Sequence, residues 1–302
     1  MKLGRAAALL LPALLLGCAT VPEKRGLALA ITLDDLPVHG PLPAGDSPER
    51  MTSDLLTALE AGGARDAHGF INGQQVEQQV AHAALLRSWR DRGFPLGNHG
   101  WSHRNFNQLS EAEFEAELLR NEPLLAAEDG RWFRHPFLQE GATPAKRAAG
   151  RAILAKHNYR IAAVTMDFSD WQWTGPYLRC RAAGDETAIA ELERSYMDAA
   201  QQSIGFYRSL SRQLHGRDIP YVLLLHGGAF TTRMMPRLLA LYRGSGFRFV
   251  SLQDAQRDPV YAADNNPALP AGPRGLEEAA AARNLPLPPR TDFAPALERA
   301  CA

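Results

Sequence analysis

Short apolar runs alternate with amphipathic stretches from Leu27 to about Tyr261, and this alternation constrains the fold more than any other feature of the chain. The apolar runs, predicted as strands, cover residues 27–33, 67–71, 94–98, 160–166, 221–225 and 247–252. The amphipathic stretches, predicted as helices, lie near 50–61, 75–92, 111–127, 145–157, 186–214 and 233–243. Strands that alternate with helices favour an α/β fold with a mainly parallel sheet, either open or closed into a barrel.

The composition is that of an ordinary globular protein. Of the 302 residues 45% are hydrophobic and 22% charged, and the formal net charge is +0. Such a charge balance gives no indication of a nucleic-acid partner. After residue 261 the chain becomes rich in proline and alanine, so we expect a domain over 27–261 followed by a loosely packed tail over 262–302.

The first residues have the layout of an export signal. Lys2 and Arg5 precede an apolar stretch that is too short to span a bilayer. The stretch ends in "LLGC", which resembles the bacterial lipobox, where a signal peptidase cuts before an acylated cysteine, here Cys18. We therefore expect residues 1–17 to be a lipoprotein signal peptide and 18–26 a linker. A plain signal peptide with a chance cysteine is the alternative.

An acylated Cys18 would anchor an exported protein to a membrane that faces the periplasm or cell envelope. Ala19, rather than Asp, follows this cysteine, which favours the outer membrane if the source is Gram-negative. The two remaining cysteines, Cys180 and Cys301, can pair in an oxidising compartment or remain free thiols, and the sequence leaves both states open.

Titratable residues follow four of the predicted strands. They are Asp34 and Asp35, His99 and His103, the segment "DFSDW" (167–171), and His226. Active sites of parallel α/β sheets lie at the carboxyl ends of the strands, so these residues are expected to converge. Consecutive strand residues point to opposite faces, and we therefore expect the two adjacent carboxylates to have different roles.

His99 and His103 are four residues apart and on a helical turn would share one face. Two histidines and a carboxylate with an open position form catalytic zinc sites. The same donors also form the facial triad of non-haem iron oxygenases, so the spacing alone leaves the metal and the chemistry open.

Five segments taken together resemble a known family. In chain order they are "TLDDLP", "NHGWSH", "RWFRHPF", "DFSDW" and "LLHGG", and they resemble the five motifs of the polysaccharide deacetylases (the NodB homology domain, carbohydrate esterase family 4). The resemblance covers roughly residues 27–260. It implies a single domain that folds as a distorted (β/α) barrel of about seven strands.

The resemblance also implies roles for individual residues. Asp35, His99 and His103 would hold a divalent metal, with zinc as the first candidate. Asp34 would be the base that activates the metal-bound water and Arg134 would brace it, while Asp170 would orient His226, the acid that protonates the leaving amine. At the substrate, Phe137 would offer its backbone N–H to the oxyanion, Trp171 would wall the sugar groove and Leu224 would line the acetyl-methyl pocket.

The implied function is hydrolytic removal of acetyl groups from N-acetylated or O-acetylated carbohydrate, at carbon–nitrogen bonds other than peptide bonds. Amide hydrolysis needs an activated water, a stabilised oxyanion and a proton for the amine. An iron oxygenase has no evident use for Asp34 or for the Asp170–His226 pair, so a hydrolase is favoured. The alternative is a non-catalytic sugar-binding lipoprotein that retains the metal site. Peptidoglycan, exopolysaccharide and chitin-like oligomers all remain candidate substrates.

Three positions depart from the family pattern. Leu36 replaces a usual glycine and is expected to add bulk near the cleft, and Gly100 replaces a Ser or Thr that would tie down the metal loop. Phe137 replaces a tyrosine but keeps the backbone donor. His39 lies near the aspartate pair, and we interpret it as a solvated loop histidine in preference to a pocket residue.

Overall fold

The protein folds around one parallel sheet, seen in a computed structural model that describes residues 26–125 and 130–302. Within these residues the strands are β1 (Leu27–Leu36), β2 (His68–Ile71), β3 (Leu96–Asn98), β4 (Trp132–Phe133), β5 (Arg160–Ile161), β6 (Tyr221–His226) and β7 (Phe247–Phe249). Their order is β5-β4-β3-β2-β1-β6, and β7 pairs with the first residues of β1. Every pairing is parallel, as the strand–helix alternation predicts.

Helices surround this sheet. Those described are α1 (Pro48–Ala61), α2 (Gln74–Gln78), α3 (His82–Asp91), α4 (Glu111–Asn121), α5 (Pro144–Lys156), α6 (Thr174–Ala183), α7 (Glu186–His215), α8 (Ala229–Gly244), α9 (Leu252–Ala255), α10 (Ala262–Asn265), α11 (Gly275–Ala282) and α12 (Ala294–Arg299). The fold is the predicted distorted (β/α) barrel in a single domain.

Local sequence accounts for where the helices begin and which face they bury. Helix α1 begins after Ser47, whose side chain accepts a hydrogen bond from the backbone N–H of Arg50. Its inner face carries the buried residues Met51, Thr52, Leu55, Leu56 and Leu59. Helix α4 begins with a capping box between Ser110 and Glu113.

The barrel is distorted because its closure is incomplete. The strand predicted over 160–166 pairs with β4 only at Arg160–Ile161, and the chain then leaves the sheet. It returns at Met166, which forms an isolated parallel bridge with Leu223 of β6. The two-residue strand β4 was not predicted, since it is too short to show a periodic pattern.

The segment after residue 261 is not the loosely packed tail that its composition suggested. Leu276, Ala280 and Leu297 are buried in the main hydrophobic core. The side chain of Arg179 donates hydrogen bonds to the carbonyl oxygens of Leu297 and Ala300 at the end of α12. The composition-based expectation was wrong because a few well-placed apolar residues are enough to dock a proline-rich segment.

Cys180 and Cys301 form a disulfide bond that fixes this segment to α6, with a sequence separation of 121 residues. Cys180 is fully buried. The structure thus resolves the choice between paired and free thiols in favour of the pair.

The predicted signal peptide and Cys18 lie outside the described residues. Among the helices in residues 26–125 and 130–302, none has both the length and the apolar character needed to cross a bilayer.

Candidate active site at the carboxyl ends of the strands

The predicted catalytic and metal-binding residues meet at one edge of the sheet. Asp34 and Asp35 lie near the end of β1, His99 directly follows β3, and His226 is the last residue of β6. The register of the β1–β6 pair places Asp34 directly opposite His226. The convergence expected from the positions of the strand ends is therefore present.

A β-bulge turns the two aspartates toward different neighbours. Between Leu33 and Leu36 the register of β1 against β2 slips by one residue, and Asp35 adopts a positive φ of 64°. Bulges often re-aim a side chain beside an active site. The side chain of Asp34 meets Arg134, whereas that of Asp35 meets histidines.

Asp35, His99 and His103 form a cluster in which all three ligand atoms lie within 4.8 Å of one another. The Oδ1 atom of Asp35 is 3.2 Å from Nε2 of His103 and 3.4 Å from Nε2 of His99. Ligand atoms of a tetrahedral zinc ion are roughly 3.4 Å apart, from bond lengths of about 2.0–2.1 Å. This Oδ1 is buried and has no hydrogen-bond partner among the described residues. The donor set and the orphaned oxygen therefore fit a divalent metal ion.

The two histidines reach this position from a loop, not from the helical turn that their spacing suggested. The loop bends at Gly100 and His103, which have φ values of +74° and +54°. The side chain of Asn72 donates hydrogen bonds to the carbonyl oxygens of His99 (2.8 Å) and Gly100 (3.1 Å), and the Gly100 N–H donates to Oδ1 of Asn98. Asparagines thus secure the loop, although Gly100 has no side-chain hydroxyl to do so.

The protonation states of the cluster suit metal binding. Burial raises the pKa of Asp35, but the hydrogen bond from His39 and the electrostatic attraction of His99 and His103 outweigh it and hold this pKa well below its usual range. Burial lowers the pKa of His103 to about 4, against the opposing charge of Asp35. An ionised carboxylate and a neutral imidazole are the forms that bind metals.

Asp34 is paired with a buried arginine. Nη1 of Arg134 lies 3.2 Å from both carboxylate oxygens of Asp34, and both side chains are almost fully buried. The guanidinium also donates to the carbonyl of Ala162 (2.7 Å) and to the hydroxyl of Thr32 (3.1 Å). These contacts fix the carboxylate of Asp34, and its Oδ2 lies 3.6 Å from Nε2 of His99.

Asp170 orients the ring of His226 and stabilises its protonated form. Nδ1 of His226 lies 2.7 Å from Oδ1 of Asp170, and the backbone N–H of His226 donates to Oδ2 (3.0 Å). The hydroxyl of Thr231 also donates to this Oδ2 (2.7 Å). Burial lowers the pKa of His226, but the charge of Asp170 outweighs it and raises this pKa to about 9. The ring therefore carries a proton at neutral pH, with Nε2 remaining as a donor.

The predicted substrate residues differ in exposure. Phe137 is 59% exposed, has a φ of +58°, and its ring centroid is 4.5 Å from that of His103. Trp171 is 50% exposed in the turn that follows Asp170. Leu224 is nearly buried on β6, two residues before His226. Two exposed aromatic rings and one buried leucine therefore accompany the polar cluster.

Two residues behave differently from expectation. Leu36 is buried and packs over Gly69 and Gly227, where an added Cβ would lie within 2.6 Å of its side chain, so it fills the core and adds no bulk to the cleft. His39 is not a solvated loop residue, since its Nδ1 lies 2.8 Å from Oδ2 of Asp35. Sequence reasoning missed this contact because it depends on how the loop after β1 folds back onto the end of β6.

The chain is similar to known proteins in sequence and in fold. The family model described as polysaccharide deacetylase matches residues 22–162, which include the first three of the five motifs. Among solved structures, the chain is similar to the chitin deacetylase of the fungal pathogen Colletotrichum lindemuthianum, with 20% identity, coverage of 77% of this chain and 88% of that one, and a TM-score of 0.53. It is also similar to a mutant peptidoglycan deacetylase of Bacillus subtilis, with 16% identity, coverage of 79% and 96%, and a TM-score of 0.50.

The same fold also occurs in a protein described as a pseudoenzyme. This is a carbohydrate esterase family 4 pseudoenzyme from Bacillus anthracis, with 15% identity, coverage of 77% of this chain and 66% of that one, and a TM-score of 0.52. At such identities the likeness concerns the fold alone, so the chemistry depends on the residues of the site.

Proposed function

We propose that the chain belongs to the polysaccharide deacetylase family, whose model matches residues 22–162, and that it is a divalent-metal-dependent hydrolase that removes acetyl groups from N-acetylated or O-acetylated carbohydrate. The observation that carries the proposal is the separation of three chemical functions at one edge of the sheet. One carboxylate lies with two histidines, a second with an arginine, and a charged histidine with a third carboxylate.

In this proposal the metal is held by Asp35, His99 and His103. Zinc is the first candidate because the donors are two imidazoles and one carboxylate, and cobalt or nickel can replace it in vitro. When bound, a divalent ion polarises the acetyl carbonyl and lowers the pKa of the attacking water.

The protein's own residues move the protons. Asp34, fixed by Arg134, accepts a proton from the attacking water as its oxygen joins the acetyl carbon. His226, oriented by Asp170, donates a proton to the amine nitrogen as the carbon–nitrogen bond breaks. The raised pKa of His226 supports its assignment as the acid, because the ring is already protonated at neutral pH.

The remaining residues would contact the sugar. We assign the backbone N–H of Phe137 to the oxyanion, Leu224 to the acetyl-methyl pocket and Trp171 to one wall of the groove. Exposed aromatic rings give flat apolar surface on which sugar rings pack. The named deacetylases of similar fold act on chitin or peptidoglycan, and both polymers carry N-acetyl groups, so both are candidate substrates.

The test is acetate release from a panel of acetylated carbohydrates, with and without a chelator. We expect the chelator to abolish turnover while the far-UV circular dichroism stays nearly unchanged, because the sheet has its own hydrophobic core. Full activity in chelator would contradict metal dependence. Metal binding without acetate release from any substrate would favour the alternative, a sugar-binding protein that retains the site.

We also propose that the protein is exported and anchored to a membrane through acylated Cys18. Several acyl chains anchor a protein stably where one chain does not. Replacement of Cys18 by serine is expected to move the protein from the membrane to the soluble fraction or to leave an uncleaved precursor. A Cys18→Ser variant that is still processed and membrane-bound would refute the anchor.

A further inference from the structure

We propose that His39 is a positioning residue of the metal centre, which holds one oxygen of Asp35 so that the other is presented to the metal. This inference rests on the metal dependence proposed above. It concerns a residue outside the five motifs, in the loop between β1 and α1.

The two oxygens of the Asp35 carboxylate have different surroundings. Oδ2 lies 2.8 Å from Nδ1 of His39, which is an ordinary hydrogen-bond distance. Within residues 26–125 and 130–302, Oδ1 has no hydrogen-bond partner, and it faces Nε2 of His99 and His103 at 3.4 Å and 3.2 Å. A carboxylate free to rotate can bind a metal through either oxygen or through both. A donor fixed at Oδ2 leaves Oδ1 as the single ligand atom.

His39 is itself held in place by the end of β6. Its backbone N–H donates to the carbonyl oxygen of Gly227 (2.9 Å), and its ring centroid is 4.7 Å from that of His226. The backbone of His39 packs closely against Gly228, since a Cβ added at Gly228 would lie 2.9 Å from the carbonyl oxygen of His39. The loop that follows His226 thus fixes the backbone of His39. The hydrogen bond from the His39 side chain then fixes the orientation of the Asp35 carboxylate.

A different role for His39 would be direct metal ligation. Asp35, His39 and His226 also offer three donor atoms within 4.8 Å of one another. The separation of 2.8 Å between His39 and Asp35 favours a hydrogen bond, because it is shorter than the roughly 3.4 Å between two ligands of a tetrahedral ion. Nδ1 of His226 is in addition bonded to Asp170.

Three variants separate these roles. His39→Phe keeps a ring beside His226 but removes the donor, and His39→Ala removes both in case the larger side chain disturbs folding. His39→Asn places an amide N–H close to the position of Nδ1. His157→Phe is the matched control, because the His157 side chain is also 20% exposed and also contacts a carboxylate, that of Glu115, at 2.6 Å.

The measurement is the dissociation constant of Zn²⁺ from each apo-protein, by competition with a chromophoric chelator, together with the visible spectrum and stoichiometry of the Co²⁺ form. Circular dichroism confirms that each variant is folded. We expect His39→Phe and His39→Ala to bind zinc about 10–100-fold more weakly, the usual cost of losing a partner of a metal ligand. His39→Asn and His157→Phe are expected to bind it as the unchanged protein does.

Two results would overturn the inference. If His39→Phe and His39→Ala bind zinc as tightly as the unchanged protein, the hydrogen bond does not position Asp35. If His39→Asn binds as weakly as His39→Phe and the Co²⁺ spectrum shows a lost nitrogen ligand, His39 is a ligand. Failure of the proposed function looks different, because an unchanged protein that binds zinc but releases no acetate contradicts the deacetylase activity and leaves the role of His39 intact.

Discussion

Asp34 and Asp35 are adjacent in sequence but lie in different environments, so their substitution should have different effects. Asp34→Asn keeps the shape of the side chain and removes the proposed base, so turnover is expected to fall by ~10²–10⁴-fold while metal still binds. Asp35→Ala removes a ligand, so metal affinity should fall and activity should return in part with excess metal. Metal content and acetate release are measured on both variants.

The thermal stability of Asp34→Asn and Asp35→Ala is measured as a control for folding. Arg134 is almost fully buried against Asp34, and an unpaired buried charge is costly. The asparagine variant must therefore be shown to be folded at the assay temperature. Loss of metal in Asp34→Asn with retention in Asp35→Ala would mean that the two roles are reversed.

The charged state of His226 predicts a pH dependence. Its pKa of about 9 in the folded protein is above the ordinary value of about 6.5, so the charge stabilises the metal-free fold below pH 6.5, and this contribution is lost as the pH rises through 9. Turnover should also fall on the alkaline side as the acid loses its proton. A bound cation lowers this pKa, so variants are compared at the same metal loading.

Asp170→Asn tests this dependence. Without the Asp170 carboxylate the pKa of His226 should fall, and the alkaline limb of kcat should move to lower pH. The pH profile of kcat is measured for both proteins on one substrate. An unchanged limb would exclude His226 as the group that titrates there.

At the scale of single residues, the sequence predicted which side chains converge but not every contact among them. Asp34, Asp35, His99, His103 and His226 carry the motif signal; His103 lies in the loop after β3, and the other four lie at or just after a strand end. His39, the hydrogen-bond partner of Asp35 in the loop between β1 and α1, carries no such signal. Its position depends on a backbone hydrogen bond to Gly227, nearly two hundred residues away along the chain.

At the scale of elements, the loop after β3 determines the geometry of the two histidines, and Asn72 is one of the residues that support it. Asn72→Ala removes two hydrogen bonds to loop carbonyls from a buried position. We expect the free energy of unfolding to fall by about 1–3 kcal/mol and metal affinity to fall with it. Denaturant unfolding and metal titration are the measurements.

The matched control for this loop is Asn107→Ala. Asn107 is exposed, and its side chain donates a hydrogen bond to the side chain of Gln139, not to a carbonyl oxygen of the loop after β3. Asn107→Ala should leave the free energy of unfolding and the metal affinity close to those of the unchanged protein. Equal effects of the two substitutions would show that Asn72 has no special role in the loop.

The long strands and helices were the best predicted elements, because their apolar periodicity extends over several turns or residues. Helix α7 and strand β1 are examples. The strand predicted over 160–166 was mostly wrong in extent, since an apolar run does not reveal that the chain leaves the sheet after Ile161. Pairing partners decide that, and they are distant in sequence.

At the scale of the whole molecule, the disulfide between Cys180 and Cys301 secures the last helix to the barrel. Cys301→Ser should lower the free energy of unfolding by up to about 4–5 kcal/mol in the chain-entropy model for a loop of this length. Denaturant unfolding with and without a reductant is the measurement. Reductant should destabilise the unchanged protein and have no further effect on the variant.

If the unchanged protein and Cys301→Ser have the same free energy of unfolding, with or without the reductant, the disulfide bond contributes nothing to stability. The composition of residues 262–302 could not predict this docking, because it depends on a few contacts: Leu276, Ala280 and Leu297 in the core and Arg179 at the end of α12.

The register that places Asp34 opposite His226 has a consequence for how such proteins diverge. The distance between Asp34 and His226, the proposed base and acid, is set by hydrogen bonds between two neighbouring strands, while Phe137 and Trp171, which we propose face the sugar, lie on connecting segments. Insertions and deletions in those segments leave the strand pair unchanged. Descendants of one ancestral chain can therefore change the residues on these segments while they inherit the same spacing between Asp34 and His226.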